Sequence, residues 1–316
     1  MESEVKEYSS TLREIVDTVS KAVIGKKEEI ELMVATIAAG GHILLEGPPG
    51  SGKTYTSKAI ARAFGGSYAR VQGNPDVLPS DITGFYVYSV AGKRRFVKGP
   101  VFTNILQVDD INRIPPRSQS ALLQAMAEYS VSVEGETFNI DKPFHVIGTF
   151  IPEEIEAGVY RLALGVIDRF WISIPTEYLV ADNEVLLASR SDKLYLTNPE
   201  EVNTIMTPGD LSQLQENLGS MIYVDEKISQ YIVDIISNLR SHSDVFMGPS
   251  HRGTISLYRV AEALALLQGR DYVIPDDVKR LAPYVLSHRI NLKPTSSKKP
   301  VDVVNEVLDT VPVPKW

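Results

Sequence analysis

A glycine-rich loop between an apolar run and an alanine-rich segment limits the possible folds of this chain more than any other feature. The apolar run covers residues 43–45, the loop reads Gly-Pro-Pro-Gly-Ser-Gly-Lys-Thr at 47–54, and apolar residues with helical spacing follow at 59–63. Strand, loop and helix in this order are the arrangement that a P-loop needs. The stretch therefore predicts a phosphate-binding loop between a strand and a helix.

The chemistry of the loop follows from the spacing of its residues. Gly47, Gly50 and Gly52 permit backbone conformations that a Cβ atom would block, so successive N–H groups can turn inward around an anion. Lys53 is then expected to reach the β- and γ-phosphates, and the Thr54 hydroxyl to bind Mg²⁺ where a helix begins. The loop predicts a nucleoside triphosphate site; the alternative is an ordinary glycine turn that caps a helix.

Length, net charge and the content of cysteine and histidine limit the classes of protein to which this chain can belong. The 316 residues are too many for one typical domain and suggest two. A formal net charge of -8 at pH 7 disfavours a general binder of nucleic-acid backbones, although it is compatible with a local basic patch. Cysteine is absent, which excludes disulfides, thiolate metal sites and thiol nucleophiles and fits a cytoplasmic protein. The five histidines are scattered, so each is predicted to be structural.

The chain shows no targeting or membrane-spanning pattern. Residues 1–10 are polar and acidic, without the basic and apolar regions of a signal peptide. The longest apolar runs are far shorter than the roughly 18 residues that a membrane-spanning helix needs. We therefore expect no insertion into a membrane.

The segment before the loop is predicted to be helical. Residues 11–39 have the spacing of two amphipathic helices, broken at 23–27. In many P-loop ATPases an apolar segment at this distance upstream of the loop packs on the adenine ring. Val23 and Ile24 are candidates for that contact; two core residues in a turn are an equally good interpretation.

Two consecutive carboxylates end another apolar strand. The strand covers 104–108, and Asp109 and Asp110 follow it downstream of the P-loop. Ligands bind at the carboxyl ends of the strands in a doubly wound sheet, which would place both side chains beside the phosphates. Asp109 is then expected to hold Mg²⁺, usually through water, and Asp110 to orient or deprotonate the attacking water. A strand that merely ends in a turn is the alternative.

The order of the predicted elements divides the chain in two. Apolar runs alternate with helices in the first part, which predicts a parallel α/β sheet. After Pro175 the pattern becomes almost entirely helical. We predict an αβα nucleotide-binding domain over 1–175 and a smaller helical domain with a C-terminal tail over 176–316. The apolar runs lie at 43–45, 68–72, 104–108, 144–149 and 172–174.

Residues 85–98 alternate around a short polar segment and are predicted to form a β-hairpin. The hairpin combines aromatic and basic side chains, which could grip a polypeptide or a nucleic acid. A half-buried hairpin with a solvated basic tip is the alternative. The aromatic residues are Phe85, Tyr86, Tyr88 and Phe96, and the basic residues are Lys93, Arg94, Arg95 and Lys98.

Two arginines outside the loop are candidate catalytic residues. Arg169 follows a glycine-containing loop and could reach the γ-phosphate of a neighbouring subunit; if it pairs with Asp168, its role is structural. Arg252 precedes a helix predicted to begin at Thr254, and it could move onto the phosphates when the helical domain closes.

Together these motifs resemble the MoxR family of AAA+ ATPases over nearly the whole chain. Several of them are specific to this family, so the resemblance extends well beyond the P-loop. The matching stretches read GGHILLEGPPGSGKT at 40–54, DVLPSDITG at 76–84, GPVF at 99–102, DINRIPP at 110–116, SQSALLQAM at 118–126, DRF at 168–170 and GRDYV at 269–273.

The resemblance implies an AAA+ core with an all-helical lid domain, assembled as a hexameric ring with ATP and Mg²⁺ bound between subunits. It implies that Arg169 is similar to the arginine finger, Arg252 to the sensor-2 arginine, and the hairpin at 85–98 to the helix-2 insert, which faces the pore in related rings. Members act as chaperone-like remodellers, often with a von Willebrand factor A domain protein. The implied nucleotide-binding residues are Ile24, Gly47, Pro48, Pro49, Gly50, Ser51, Gly52, Lys53, Thr54 and Tyr55, with Thr54 and Asp109 on the metal.

Two residues depart from the family pattern. Asp110 stands where the family has glutamate, so the carboxylate is one methylene shorter. Ile151 stands where the family has the sensor-1 asparagine, and its side chain cannot form a hydrogen bond with water or phosphate. Because a displacement of about 1 Å can cost on the order of 10²-fold in rate, we expect nucleotide binding to survive and hydrolysis to be slow.

Three functional hypotheses remain open. The first is an oligomeric Mg-ATPase that couples hydrolysis to the remodelling or maturation of a protein partner. The second is a nucleotide-gated binding scaffold with weak hydrolysis, which Asp110 and Ile151 motivate. The third is a DNA-dependent AAA+ motor, which rests on the basic hairpin; the acidic net charge counts against a nucleic-acid partner.

Overall fold

The computed structural model describes residues 2–90, 92–150, 159–160, 162–190 and 202–315. Ile151, at the predicted sensor-1 position, lies outside these ranges. None of the helices in the described ranges is long and apolar enough to cross a membrane.

The chain alternates between strands and helices up to β9 and is mainly helical after it. The strands, in chain order, are β1 Ile43–Glu46, β2 Tyr68–Gln72, β3 Gly84–Tyr88, β4 Arg94–Lys98, β5 Ile105–Asp109, β6 Ser130–Val133, β7 Glu136–Asn139, β8 His145–Phe150, β9 Ile172–Pro175, β10 Val245–Met247 and β11 Asn291–Leu292. The described α-helices are α1 Glu2–Ala22, α2 Lys27–Ala39, α3 Lys53–Ala63, α4 Pro79–Thr83, α5 Pro116–Glu128, α6 Leu164–Ile167, α7 Ala181–Ser189, α8 Pro208–Met221, α9 Glu226–Ser241, α10 His251–Leu267, α11 Pro275–Leu286 and α12 Pro300–Thr310.

Five strands form the central sheet in the order β2-β5-β8-β1-β9, and every neighbouring pair is parallel. The predicted parallel α/β sheet is therefore confirmed. Because all five strands run the same way, their carboxyl ends meet at one edge, where sheets of this kind bind ligands. Every residue of β5 is buried, which is typical of a parallel strand covered on both faces.

Different groups of helices cover the two faces of the sheet. Successive side chains of β1 point to opposite faces, so Ile43 and Leu45 belong to one buried cluster and Leu44 to another. The cluster around Leu44 includes Leu122 of α5. The cluster around Ile43 continues through α1, α2 and α3 into the C-terminal helices α8–α12.

The central sheet ends at Pro175, next to the predicted domain boundary, and the chain beyond it is mainly helical. The predicted helical C-terminal region is confirmed, and it also contains a short antiparallel ladder formed by β10 and β11. Val16 of α1 and Leu264 of α10 belong to the same buried cluster. Helices from both predicted domains therefore share one core.

Two β-hairpins lie side by side outside the central sheet. The antiparallel pair β3–β4 confirms the predicted hairpin. A second hairpin, β6–β7, was not predicted, and its turn contains Glu134 and Gly135 with φ of 50° and 84°. The rings of Phe96 and Phe138 stack across the two hairpins with centroids 4.0 Å apart. The alternating residues 130–133 before an acidic residue and a glycine were a sequence signal for the second hairpin.

Candidate nucleotide site

The glycine-rich loop lies between β1 and α3, at the carboxyl edge of the sheet. Gly50 and Gly52 have φ of 80° and 89°, in the left-handed region that favours glycine. Gly47 is required for a different reason, because a Cβ atom there would lie 2.1 Å from the carbonyl oxygen of Thr176, just after β9. The predicted strand, loop and helix are thus present, and close packing against the end of β9 fixes the start of the loop.

Lys53 begins α3 and folds back over the loop. Its Nζ donates hydrogen bonds of 2.7 Å to the carbonyl oxygens of Gly47 and Pro48. Burial lowers the pKa of Lys53, while the carboxylates of Asp110 and Asp109 oppose that shift. An ammonium group held by neutral carbonyls can exchange them for phosphate oxygens, which are stronger acceptors.

Thr54, in the first turn of α3, and Asp109, the last residue of β5, lie next to each other and form a candidate metal site. The Thr54 Oγ1 lies 3.3 Å from Asp109 Oδ1 and 3.4 Å from Oδ2. A hydroxyl and a carboxylate are hard oxygen donors of the kind that Mg²⁺ prefers. The described residues contain no cluster of three or more histidine, cysteine or acidic side chains that could hold a metal by itself. The pair therefore fits a Mg²⁺ ion that takes its other ligands from phosphate and water.

Polar neighbours that were not predicted fix the Asp109 carboxylate, which is 4% exposed. Arg70 Nε donates to Asp109 Oδ2 at 2.6 Å, and Gln107 Nε2 donates to Oδ1 at 2.5 Å. The Tyr68 hydroxyl in turn donates to Gln107 Oε1 at 2.6 Å. Strand pairing between β2 and β5 brings these side chains together, a contact that the sequence spacing does not reveal.

Asp110 leaves the strand in a left-handed conformation, with φ 49° and ψ 53°. Its N–H donates to Thr149 Oγ1 of β8 at 3.0 Å, which ties the turn to the neighbouring strand. Its carboxylate lies 3.6 Å from Arg113 Nε and 3.4 Å from Gln72 Nε2. The two adjacent carboxylates therefore have different surroundings: Asp109 faces Thr54, and Asp110 is partly open to solvent at the same edge of the sheet.

A cavity of about 610 Å³ adjoins the loop and is large enough for a small-molecule ligand. Val23 and Ile24 line it, as the interpretation of an adenine contact requires, together with Tyr55 of α3. Residues beyond the predicted domain boundary line the cavity as well, which the sequence patterns do not indicate. They are Tyr178, Leu179, Glu184, Leu187 and Ala188.

Arg169 and Arg252 do not join the loop. Arg169 precedes β9, and β9 runs parallel to β1 with Ile43 opposite Ile172. Arg169 therefore lies beyond the amino end of the strands and the loop beyond their carboxyl end, separated by at least roughly 10 Å of strand. Arg252 lies beside Arg169 at this other edge, and its movement onto the phosphates when the helical domain closes stays a prediction.

Asp168 is paired with other residues than Arg169. Its carboxylate accepts hydrogen bonds from Arg252 Nη1 at 3.0 Å, Arg289 Nη1 at 2.8 Å and the Ser250 hydroxyl at 2.8 Å. Within the described residues, the buried Nε of Arg169 has no hydrogen-bond partner. Burial lowers the pKa of Arg169 and the charge of Arg252 lowers it further, while the carboxylates of Asp168 and Glu128 oppose the shift. The purely structural interpretation, an Arg169–Asp168 pair, is therefore not supported.

A second cavity, of about 460 Å³, brings the two arginines together. Arg169 and Arg252 line it, along with Glu128, Tyr129 and Ser256. Two guanidinium groups beside one open cavity, with the Nε of Arg169 lacking a hydrogen-bond partner among the described residues, favour the binding of an anion. The chain thus presents a phosphate-binding loop at one edge and an anion-attracting arginine pair at the other.

Comparison with known proteins agrees with this geometry. The family described as the ATPase family associated with various cellular activities (AAA) matches residues 42–172, and an AAA lid domain matches 237–307. The uncharacterized protein YeaC of Bacillus subtilis is 38% identical over 96% of this chain and 95% of its own length. Chaperone MoxR1 of Mycobacterium tuberculosis is 36% identical over 96% of this chain and 83% of its own length.

A solved structure shows the same fold over almost the full length. The crystal structure of a candidate ATPase from Cytophaga hutchinsonii superimposes with a TM-score of 0.89 and 33% identity, covering 99% of this chain and 98% of that one. Three observations point to the same family. They are the sequence motifs, the parallel sheet with its helical C-terminal region, and the relatives named MoxR, which match nearly the whole chain. The chain therefore belongs to the MoxR family of AAA+ ATPases.

Proposed function

We propose that this protein is a Mg²⁺-dependent ATPase that assembles into a ring, binds ATP between neighbouring subunits and couples hydrolysis to the remodelling or maturation of a protein partner. The observation that carries the proposal is the division of the catalytic groups between two edges of one sheet. The phosphate-binding loop and the Asp109–Asp110 pair lie at the carboxyl edge, and Arg169 and Arg252 lie at the other. One chain therefore supplies two half-sites.

The carboxyl edge binds the nucleotide in this proposal. Lys53 exchanges its carbonyl partners for phosphate oxygens, and Thr54 and Asp109 hold the metal directly or through water. Bound Mg²⁺ neutralises charge on the β- and γ-phosphates. Asp110 orients the attacking water and accepts its proton. Its short side chain and its contact with Arg113 are the reasons to expect a low rate.

The other edge completes the site of a neighbouring subunit. A contact that joins one edge of a subunit to the opposite edge of the next is heterologous, and such contacts generate rings when the rotation closes; a hexamer is the size we propose. Arg169 then reaches the neighbour's γ-phosphate as the arginine finger, with Arg252 beside it. A finger supplied in trans typically contributes about 10³ to 10⁵ in rate.

The outer face of the first hairpin is the surface we propose for the protein partner. The inner face is engaged, because Arg94 and Tyr86 bond to Glu136, and Tyr88 bonds to Glu134 of the second hairpin. The outer face exposes apolar side chains, with Phe85 at 47% and Val87 at 45%.

Acidic residues therefore neutralise part of the basic character on which the DNA-motor hypothesis rests, and an apolar face suits a polypeptide. The chaperone name of the Mycobacterium tuberculosis relative supports a client protein. A von Willebrand factor A domain protein and a cytoplasmic location remain parts of the proposal.

Dilution of the wild type and of Arg169→Ala tests the proposal. ATP turnover per subunit is expected to fall when the wild-type protein is diluted, because the two half-sites separate. Arg169→Ala is expected to lose about 10³-fold in turnover at every concentration while its affinity for Mg-ATP, measured by calorimetry, stays at the wild-type level. Turnover per subunit that is independent of concentration, or full turnover in Arg169→Ala, would contradict the shared site.

A further inference from the structure

Arg289 holds the backbone on both sides of Arg169. It ends a 3-10 turn, Ser287–Arg289, directly after α11, and its side chain is 1% exposed. Its Nη1 donates to the carbonyl oxygen of Asp168 at 3.1 Å, and its Nη2 donates to that of Phe170 at 2.7 Å. A single guanidinium group thus binds the carbonyls of the residues immediately before and after Arg169.

The buried charge of Arg289 is compensated at Nη1 and Nη2, while its buried Nε has no hydrogen-bond partner among the described residues. Nη1 also donates to Asp168 Oδ1 at 2.8 Å, and Nη2 donates to the Ser256 hydroxyl of α10 at 3.1 Å. Burial lowers the pKa of Arg289 to about 10, so the group remains protonated at neutral pH. The planar fork of a guanidinium reaches several acceptors at once, and a lysine ammonium, as a point charge on a flexible chain, cannot reproduce this geometry.

The adjacent residue strengthens the same connection. His288 Nε2 lies 2.9 Å from the carbonyl oxygen of Phe170, so two successive residues of the C-terminal region hold the segment before β9. The side chain of Arg169 itself is not held in this way, since its buried Nε has no partner among the described residues. The backbone on both sides of Arg169 is therefore fixed by hydrogen bonds, whereas its side-chain Nε is not.

We propose that Arg289 is a positioning residue, which sets the direction in which Arg169 projects toward the neighbouring subunit. Arg289 contacts Ser256 of α10 as well as the backbone around Arg169, so a movement of the C-terminal helices would shift Arg169 in the active site of that neighbour. This inference rests on the proposed function, in which Arg169 acts in trans. A loss of alignment of about 1 Å at a reacting group can cost on the order of 10²-fold in rate, so the geometry of one hydrogen-bonded fork is sufficient to control turnover.

Arg289→Lys tests the inference because it keeps the charge and loses the fork. We expect kcat to fall by roughly 10- to 100-fold, with KM for ATP and the affinity for Mg-ADP unchanged, since the binding loop lies at the opposite edge of the sheet. In an Arg169→Ala background, the same change is expected to cause no further loss of turnover. It is expected to lower the melting temperature equally in both backgrounds.

Arg270→Lys is the matched control. Arg270 also makes a paired contact, from Nη1 and Nη2 to the carboxylate of Asp277, but it does so near the start of α11, at the end remote from Arg289. The control is expected to lower the melting temperature and to leave kcat per assembled subunit at the wild-type level. If Arg289→Lys prevents folding, Ser256→Ala removes one bond of Arg289 and is expected to give a several-fold loss of kcat that disappears in the Arg169→Ala background.

The outcomes separate this inference from the proposed function. Wild-type kcat in Arg289→Lys, or a further loss when it is combined with Arg169→Ala, overturns the positioning role and leaves the shared site intact. When Ser256→Ala is used instead, the same two results overturn the positioning role. Full activity in Arg169→Ala alone overturns the proposed function and the inference with it.

Discussion

His42 and His145 are buried and His288 is half-buried, and removal from water lowers their pKa values to about 3, about 4 and about 3, respectively. A ring nitrogen of each histidine lies within hydrogen-bond distance of a backbone group. His42 Nδ1 accepts from the N–H of Val146, and His145 Nδ1 lies 2.8 Å from the carbonyl oxygen of Gly41. These contacts agree with the prediction that the histidines are structural, and the hydrogen bond that His42 accepts requires a neutral ring.

The lowered pKa values predict a loss of stability in weak acid. Above pH 6.5 these rings are neutral in both states and contribute no pH dependence. Below pH 6.5 the unfolded chain binds protons that the folded chain excludes, so the free energy of unfolding falls as the pH falls, down to about pH 4 for His145 and about pH 3 for His42 and His288. Burial raises the pKa of Glu29 and of Glu262, which acts in the opposite direction.

His288→Gln isolates this effect, because glutamine can still donate a hydrogen bond toward Phe170. Between pH 7 and pH 5 the fall in the free energy of unfolding is expected to be smaller in the variant than in the wild type, by about 2 kcal/mol. Urea denaturation at both pH values measures it. His251→Gln, at an exposed position, is the control that removes a histidine without opening the core. Equal pH dependence in wild type and His288→Gln would rule out a half-buried neutral ring at 288.

The function of a single residue can be predicted from the sequence where it depends on residues next to it in the chain. The contiguous stretch 47–54 indicated the loop, and Asp109 and Asp110 were recognised because they end an apolar strand. Arg70 and Arg289 have no such signal because their partners are remote in sequence: Arg70 of β2 meets Asp109 of β5, and Arg289, which follows α11, meets Asp168, which precedes β9. The sequence alone does not show that residues so far apart in the chain are in contact.

Among the elements, the two hairpins show what period-2 alternation can and cannot reveal. Alternating apolar and polar residues predict the first hairpin. The second hairpin alternates in the same way, but its short strands lie between the stronger patterns of α5 and β8. The position of α7 beside the nucleotide cavity had no signal, because none of its residues is buried and its pattern is not periodic.

The stacked pair Phe96–Phe138 predicts that the second hairpin supports the first. Phe138→Ala is expected to increase amide hydrogen exchange in residues 84–98 by about tenfold, since an aromatic pair contributes about 0.5–1.5 kcal/mol beyond its buried area. Mass spectrometry of the exchanged protein measures it. Phe85→Ala, an equal truncation on the exposed outer face, is the control and is expected to leave that exchange unchanged. Equal exchange in the two variants would show that the hairpins are independent.

At the scale of the whole molecule, the sequence was sufficient for the class of fold and insufficient for the packing of the parts. The parallel sheet and its helical continuation followed from local periodicity and the family motifs. The shared core did not, because α1 and α10 are distant in the chain and each pattern shows only that one face is apolar. That packing keeps Arg252 at the edge away from the loop of its own subunit.

If each chain carries two incomplete half-sites, as we propose, two inactive variants that lack different half-sites should restore activity when they are mixed. Asp110→Asn retains the loop and Arg169 but cannot activate water, and Arg169→Ala retains the loop and Asp110 but lacks the finger. Each variant alone is expected to be nearly inactive. In a mixed ring, some interfaces join an intact water-activating edge to an intact finger edge.

The most direct measurement is therefore the ATPase rate of an equal mixture of Asp110→Asn and Arg169→Ala after subunit exchange. The account predicts recovery to about a quarter of the wild-type rate, because a heterologous contact pairs opposite edges of two subunits and one interface in about four is then complete. Unmixed samples at the same total concentration are the control. A mixture whose rate is only the average of its two inactive parents, although native mass spectrometry shows mixed oligomers, would contradict a site shared between subunits.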